Sequence, residues 1–199
     1  MTEAVPRVSP WNLANYLTVL RLLLVPVFLG FLLAEDGEHA GFRLAAAGVF
    51  LLAALTDRVD GQIARSRGLI TSFGKLADPI ADKTLIGAAF VGLSLLDELW
   101  WWVTLVVLVR EIGVTVLRFV VIRHGVMPAG RGGKLKTALQ TAAITLYLLP
   151  LSGALTTLAV AVMVVAVVLT VVTGLDITVK ALVLRTTSER ADMKRAARG

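Results

Sequence analysis

DRVDGQIARSRGLITSFGKLADPIAD, residues 57–82, sets four aspartates, Asp57, Asp60, Asp78 and Asp82, into two otherwise apolar segments joined by a short polar link. A carboxylate inside a bilayer costs several kcal/mol, so four at a common depth need a compensating charge. One or two divalent cations supply it most simply. The stretch therefore reads as the centre of a helical membrane protein that holds metal.

The rest of the chain agrees. Of its 199 residues, 57% are hydrophobic, and the mean hydropathy is +0.81, far above that of a soluble domain. That length accommodates about six spans of roughly 20 residues and no added soluble domain. Without cysteine there is no disulfide, thiolate metal site or cysteine nucleophile. The net charge of +6 does not point to nucleic acid, because the cations sit at segment ends and in a basic tail, where anionic membrane lipids are the natural partner. The polar start lacks the small-residue cleavage site of a secretory signal.

The expected fold is an all-α integral membrane protein with six transmembrane helices, residues 1–184, followed by a mobile basic cytoplasmic tail, 185–199. An interfacial helix at about 10–16, anchored by Trp11 and Tyr16, precedes the spans. These run at about Leu17–Ala34, Phe42–Arg65, Gly74–Leu96, Trp100–Ile122, Thr137–Leu151 and from Ala154 to Val172 or beyond. Pro26 and Pro79 mark local kinks or a first turn. Trp100, Trp101 and Trp102 form an interface belt, and His124 to Lys136 a glycine- and cation-rich loop. No internal repeat is evident. Arg7, Arg65, Arg67, Arg123, Arg131, Lys134, Lys136 and the tail share one side. The other side has Arg43 against Glu35, Asp36, Glu38, Asp97 and Glu98. The positive-inside rule then puts both termini and both aspartate pairs toward the cytoplasm.

Asp57 and Asp60 are three apart and Asp78 and Asp82 four apart, so each pair shares a helix face. Asp60 and Asp78 lie on the order of 8 Å from their helix ends, with the other two about a turn deeper. An all-oxygen donor set without nearby histidine suits two Mg²⁺ or Mn²⁺ ions. Gly61, Ala64 and Gly74 let a flat ligand approach the backbone, Arg65 suits a diphosphate, and Thr71 offers a hydroxyl. Taken singly, each has a plainer reading: helix packing for the small residues, a boundary anchor for Arg65, an ion pathway for the aspartates.

Together the residues resemble the signature of the CDP-alcohol phosphotransferase family, D-x2-D-G-x2-A-R-x8-G-x3-D-x3-D, at every fixed position. The resemblance implies that Asp57, Asp60 and Asp78 bind two divalent cations and that Asp82 touches one and acts as general base. Gly61, Arg65 and Thr71 would meet the cytidine diphosphate part of the donor, CDP-diacylglycerol. Asn15-x2-Thr18-x2-Arg21 is similar to the family's donor contact on the first span.

Family members differ in their acceptor. Arg110-Glu111-Ile112 with Arg118, then Met127-Pro128-Ala129 and Gly133-Lys134-x-Lys136-Thr137-x2-Gln140, resemble the members that use sn-glycerol 3-phosphate and release CMP. That acceptor is a small dianion, for which Arg118, Lys134, Lys136 and Arg110 are the candidate cations. Arg110 reads equally as a structural partner of Glu111, and the two lysines as a solvated loop against lipid phosphates. Inositol phosphate or serine is the alternative acceptor. A cation transporter is the remote one, disfavoured because the carboxylates cluster near one face. The apolar last span would suit a homodimer.

Overall fold

No charged residue lies between Arg21 and Glu35, and this run forms the first helix, α1, Leu13–Leu33, with Pro26 inside it. The computed structural model describes the backbone of residues 13–66, 72–121 and 131–196, and the side chains of residues 15–56, 80–117 and 133–184. Five more helices follow: α2 Ala40–Ser66, α3 Ser72–Leu95, α4 Trp101–Val121, α5 Arg131–Leu148 and α6 Ala154–Ala196. Among the described residues there is no strand.

A 3-10 turn, Ala34–Gly37, reverses the chain after α1. Glu35, Asp36 and Gly37 all have positive φ, at 50°, 52° and 76°. The positive φ of Gly37 favours glycine there, whereas the nearest atom to an added Cβ, Leu96 Cδ1 at 2.6 Å, is the end of a side chain that can turn aside. α1 packs against α2 and α3, α5 and α4 pack on α6, and α2 also touches α5. Phe28, Phe50, Phe90, Leu85, Leu93, Ile144 and Leu148 are fully buried at the meeting of α1, α2, α3 and α5. Phe28 and Phe50 join two of these helices with ring centroids 5.7 Å apart.

At one end of the bundle the buried Arg43 ties four pieces of chain together. Its Nη1 donates to the Gly37 carbonyl at 3.3 Å, its Nη2 to Glu98 Oε2 at 2.9 Å, and its Nε to the Leu148 carbonyl at 3.3 Å. It also donates to Glu98 Oε1 and the Tyr147 carbonyl. The last carbonyls of α5, which have no partner within their own helix, thus meet a cation.

Asn15–Gly37 and Ala154–Leu184 are long and apolar enough to cross a membrane. α4 turns Leu105, Val109, Ile112 and Val116 outward, and α2 turns out Leu44, Leu52 and Leu55. Outward apolar faces on this scale mark a membrane protein. Threonines inside the helices bond back to their own backbone, as Thr141 does to the Thr137 carbonyl at 2.9 Å and Thr170 to that of Ala166 at 2.6 Å. Their hydroxyls therefore need no water.

Three expectations differ from the structure. Helix α1 begins at Leu13 and runs unbroken through Thr18, so no separate interfacial helix precedes it over the described part of 10–16; residues 10–12 lie outside the described residues. Leu13 to Val19 contain neither glycine nor proline to interrupt it. Helix α5 begins at Arg131, which puts Lys134 and Lys136 on a helix rather than in the preceding loop. Gly132 and Gly133 fall in its first turn, where unpaired amides make glycine least costly. Helix α6 continues to Ala196 through most of the basic tail, because residues 175–196 hold no glycine or proline and are rich in helix formers.

Candidate active site

Helices α2 and α3 are consecutive and packed together, so the end of one lies beside the start of the other. The backbone carries Asp57, Asp60, Gly61, Ala64 and Arg65 on the C-terminal part of α2, and Gly74, Asp78 and Asp82 on the first half of α3. Asp82 is half-buried. The side chains of Asp57, Asp60, Arg65 and Asp78, and all of Thr71, lie outside the described residues. Among the described residues no three acids or histidines gather around a common point.

Helix α1 lines the same region. Asn15, Thr18 and Arg21 are three apart, and all are buried on one face. Arg21 is fully buried and its Nε donates to the Ala53 carbonyl at 3.2 Å, one turn before Asp57 on α2. With α1 and α2 antiparallel, each step back along α1 matches a step forward along α2. Thr18 and Asn15 therefore stand beside the turns that carry Asp57 and Asp60.

Two of the four candidate acceptor cations, Arg110 and Lys136, meet at one carboxylate. Glu111 of α4 is 7% exposed. Its Oε2 accepts from Lys83 Nζ of α3 at 2.7 Å, and its Oε1 from Arg110 Nη1 at 2.9 Å and from Lys136 Nζ of α5. Arg110 reaches on to Thr173 Oγ1 of α6 at 2.8 Å. It crosses α6 at Gly174, where a Cβ would lie 2.8 Å from its Cγ and Nε. Four helices are thus joined through Glu111. Lys134 lies apart, exposed on the first turns of α5. Arg118 is on α4, with its side chain outside the described residues.

Arg110 has its fork occupied by Glu111 and Thr173, which is the structural side of its two readings. Lys136 is buried against Glu111 and not part of a solvated loop. Lys83 is the residue that sequence reasoning misses. The available signal is Glu111 itself, an acid in the middle of an apolar span that must find cations on neighbouring helices. Among the described residues three cations share the one carboxylate of Glu111, a surplus of two positive charges within that cluster, and Asp82, which stands outside that count, precedes Lys83 in the chain. Such an imbalance in a buried cluster favours an incoming anion.

A family model described as CDP-alcohol phosphatidyltransferase matches residues 11–172. The chain is 57% identical over 171 residues to a probable phosphatidylglycerophosphate synthase of Mycobacterium tuberculosis, covering 86% of this chain and 82% of that one. It is 40% identical over 149 residues to the CDP-diacylglycerol–glycerol-3-phosphate 3-phosphatidyltransferase of Bacillus subtilis, covering 70% and 77%. To the protein of the same name from Rickettsia felis it is 41% identical over 143 residues, covering 71% and 77%.

Proposed function

The chain belongs to the CDP-alcohol phosphatidyltransferase family, and on that ground we propose that it transfers the phosphatidyl group of CDP-diacylglycerol to sn-glycerol 3-phosphate. The products are phosphatidylglycerophosphate and CMP. The observation that carries the acceptor is the surplus of two positive charges around Glu111, which matches a phosphate dianion. Serine, a zwitterion without phosphate, leaves that surplus unanswered. The names of the relatives favour glycerol phosphate over inositol phosphate.

In this reading the diphosphate of the donor meets Arg65 and the hydroxyl of Thr71, while Gly61, Ala64 and Gly74 leave room for the cytidine. Asn15 and Thr18 line the donor side from α1. Lys83 and Lys136 hold the acceptor phosphate, with Arg118 and Lys134 at the entrance. Asp82 takes the proton from the 1-hydroxyl, whose oxygen bonds to the β-phosphorus as the bond to CMP breaks. CMP leaves with the electron pair. The donor set of Asp57, Asp60, Asp78 and Asp82 is all oxygen, on two packed helix ends, and fits two Mg²⁺ or Mn²⁺ ions. Bound there, such ions neutralise the diphosphate and polarise the phosphorus under attack. Holding the two substrates in line supplies the larger part of the rate.

The six helices are proposed to span a bacterial inner membrane, with both termini and the site on the cytoplasmic side. The outward apolar faces and the one-sided cations support this. The test is CMP release by the purified protein from CDP-diacylglycerol with each acceptor in turn. Turnover is expected with sn-glycerol 3-phosphate and not with serine, lost in EDTA and restored by Mg²⁺ or Mn²⁺. Preference for serine or inositol phosphate overturns the acceptor, and full turnover in EDTA overturns the metal site.

A further inference from the structure

Gln140 is 1% exposed, on the face of α5 that also buries Lys136, Ala143 and Ile144. Among the described residues its amide nitrogen, Nε2, is buried with no hydrogen-bond partner. An amide hidden from water without a partner is a standing cost to the fold. A leucine or methionine of similar volume would remove it. The position makes sense if something absent from the bare fold accepts that hydrogen bond.

The geometry of the bundle says where the amide sits. Arg43 of α2 meets the Leu148 carbonyl of α5, which sets the antiparallel register of the two helices. Counting back from that contact, Gln140 lies about level with residue 51 of α2 and Lys136 about level with residue 55. A helical side chain leans toward its own N-terminus, so Gln140 reaches from α5 toward Lys136 and the turn of α2 that carries Asp57. The Cβ atoms of Lys136 and Gln140, four residues apart, are separated by about 6 Å. The phosphate and the middle hydroxyl of a three-carbon phosphate ester lie closer together than that, so an ammonium and an amide one helical turn apart can each meet one of the two groups.

We propose that Gln140 determines acceptor specificity, its Nε2 donating to the non-reacting 2-hydroxyl of sn-glycerol 3-phosphate while Lys136 and Lys83 hold the phosphate. The inference rests on the proposed phosphatidyl transfer and names a further contact in that site. A neutral amide suits a neutral hydroxyl. Leaving a built-in donor unpaired is how a site rejects an analogue that lacks the partner group.

The experiment compares kcat/KM for sn-glycerol 3-phosphate and for 3-hydroxypropyl phosphate, which lacks the middle hydroxyl, in the wild-type protein, Gln140→Leu and Gln140→Met. Thermal midpoints in detergent are measured alongside. The wild type is expected to prefer the natural acceptor by at least about 100-fold. Both variants should lose most of their activity on the natural acceptor, keep the wild-type rate on the analogue, and melt at the same or a higher temperature. An unchanged preference, or equal losses on both acceptors with a lower midpoint in both variants, overturns the role of Gln140. A wild-type protein inactive with sn-glycerol 3-phosphate instead removes the proposed function and this inference with it.

Discussion

Asp82 and Lys83 are consecutive on α3 and carry opposite charges. Lys83 turns to Glu111 on α4, and Asp82 is half-buried. Substitutions should separate the two roles. Asp82→Asn keeps size and hydrogen bonding but cannot take a proton, so kcat should fall by about 10²–10⁴-fold with KM for CDP-diacylglycerol near its wild-type value. Glu111→Ala instead strands three cations together and should destabilise the fold by roughly 3–5 kcal/mol. Steady-state kinetics and thermal denaturation in detergent read the two effects, and a stable Glu111→Ala protein would contradict the central place of that carboxylate. The aspartates and Arg65 can be picked out from sequence because their spacing repeats a helix face. The pairing of Lys83 with Glu111 cannot, since the two residues are 28 apart and meet only through packing of α3 on α4.

Helix ends were harder to read than helix bodies, and for a physical reason. The apolar runs of α1 and α3 end at turns that carry charge and positive φ, as at Glu35 and Asp36 and at Asp97 with φ 55°. α5 likewise stops two residues before Pro150. At Arg185 polarity changes without any breaker, and α6 continues across the change to Ala196. Arg43 shows a related limit. By sequence it is the one cation among acids, but in the fold it gathers the start of α2, the end of α5, the turn at Gly37 and Glu98. Lysine has neither the fork nor the number of donors to do this. Arg43→Lys should therefore cost on the order of 3 kcal/mol by leaving Glu98 and two carbonyls short of partners. About 20 Å of helix separates Arg43 from Asp57, so KM for both substrates should stay unchanged. A fall in substrate affinity larger than the loss of stability would link the two ends of the bundle.

The apolar helices of this bundle bury charge against charge. α2 to α5 carry Arg43, the four aspartates, Lys83, Arg110, Glu111 and Lys136, which depress hydropathy although several are paired with one another. Outwardly the same helices present leucine, valine and isoleucine. A length of about 64 Å takes α6 well past a hydrocarbon core of about 30 Å, so its basic end must leave the membrane. With Arg43 neutralised by Glu98, the turns at Glu35–Glu38 and Asp97–Glu98 carry no unpaired cation. The opposite end holds Lys134 and the basic residues that follow Leu184. In the proposed six-span arrangement the two ends of every helix lie in different compartments. Because the chain contains no cysteine, single cysteines report this directly. Glu38→Cys should react with a membrane-impermeant maleimide in intact cells, whereas Lys134→Cys should react only in inverted vesicles. Labelling of both from the same side would leave an odd number of crossings between residues 38 and 134 untenable, and with it the six-span arrangement.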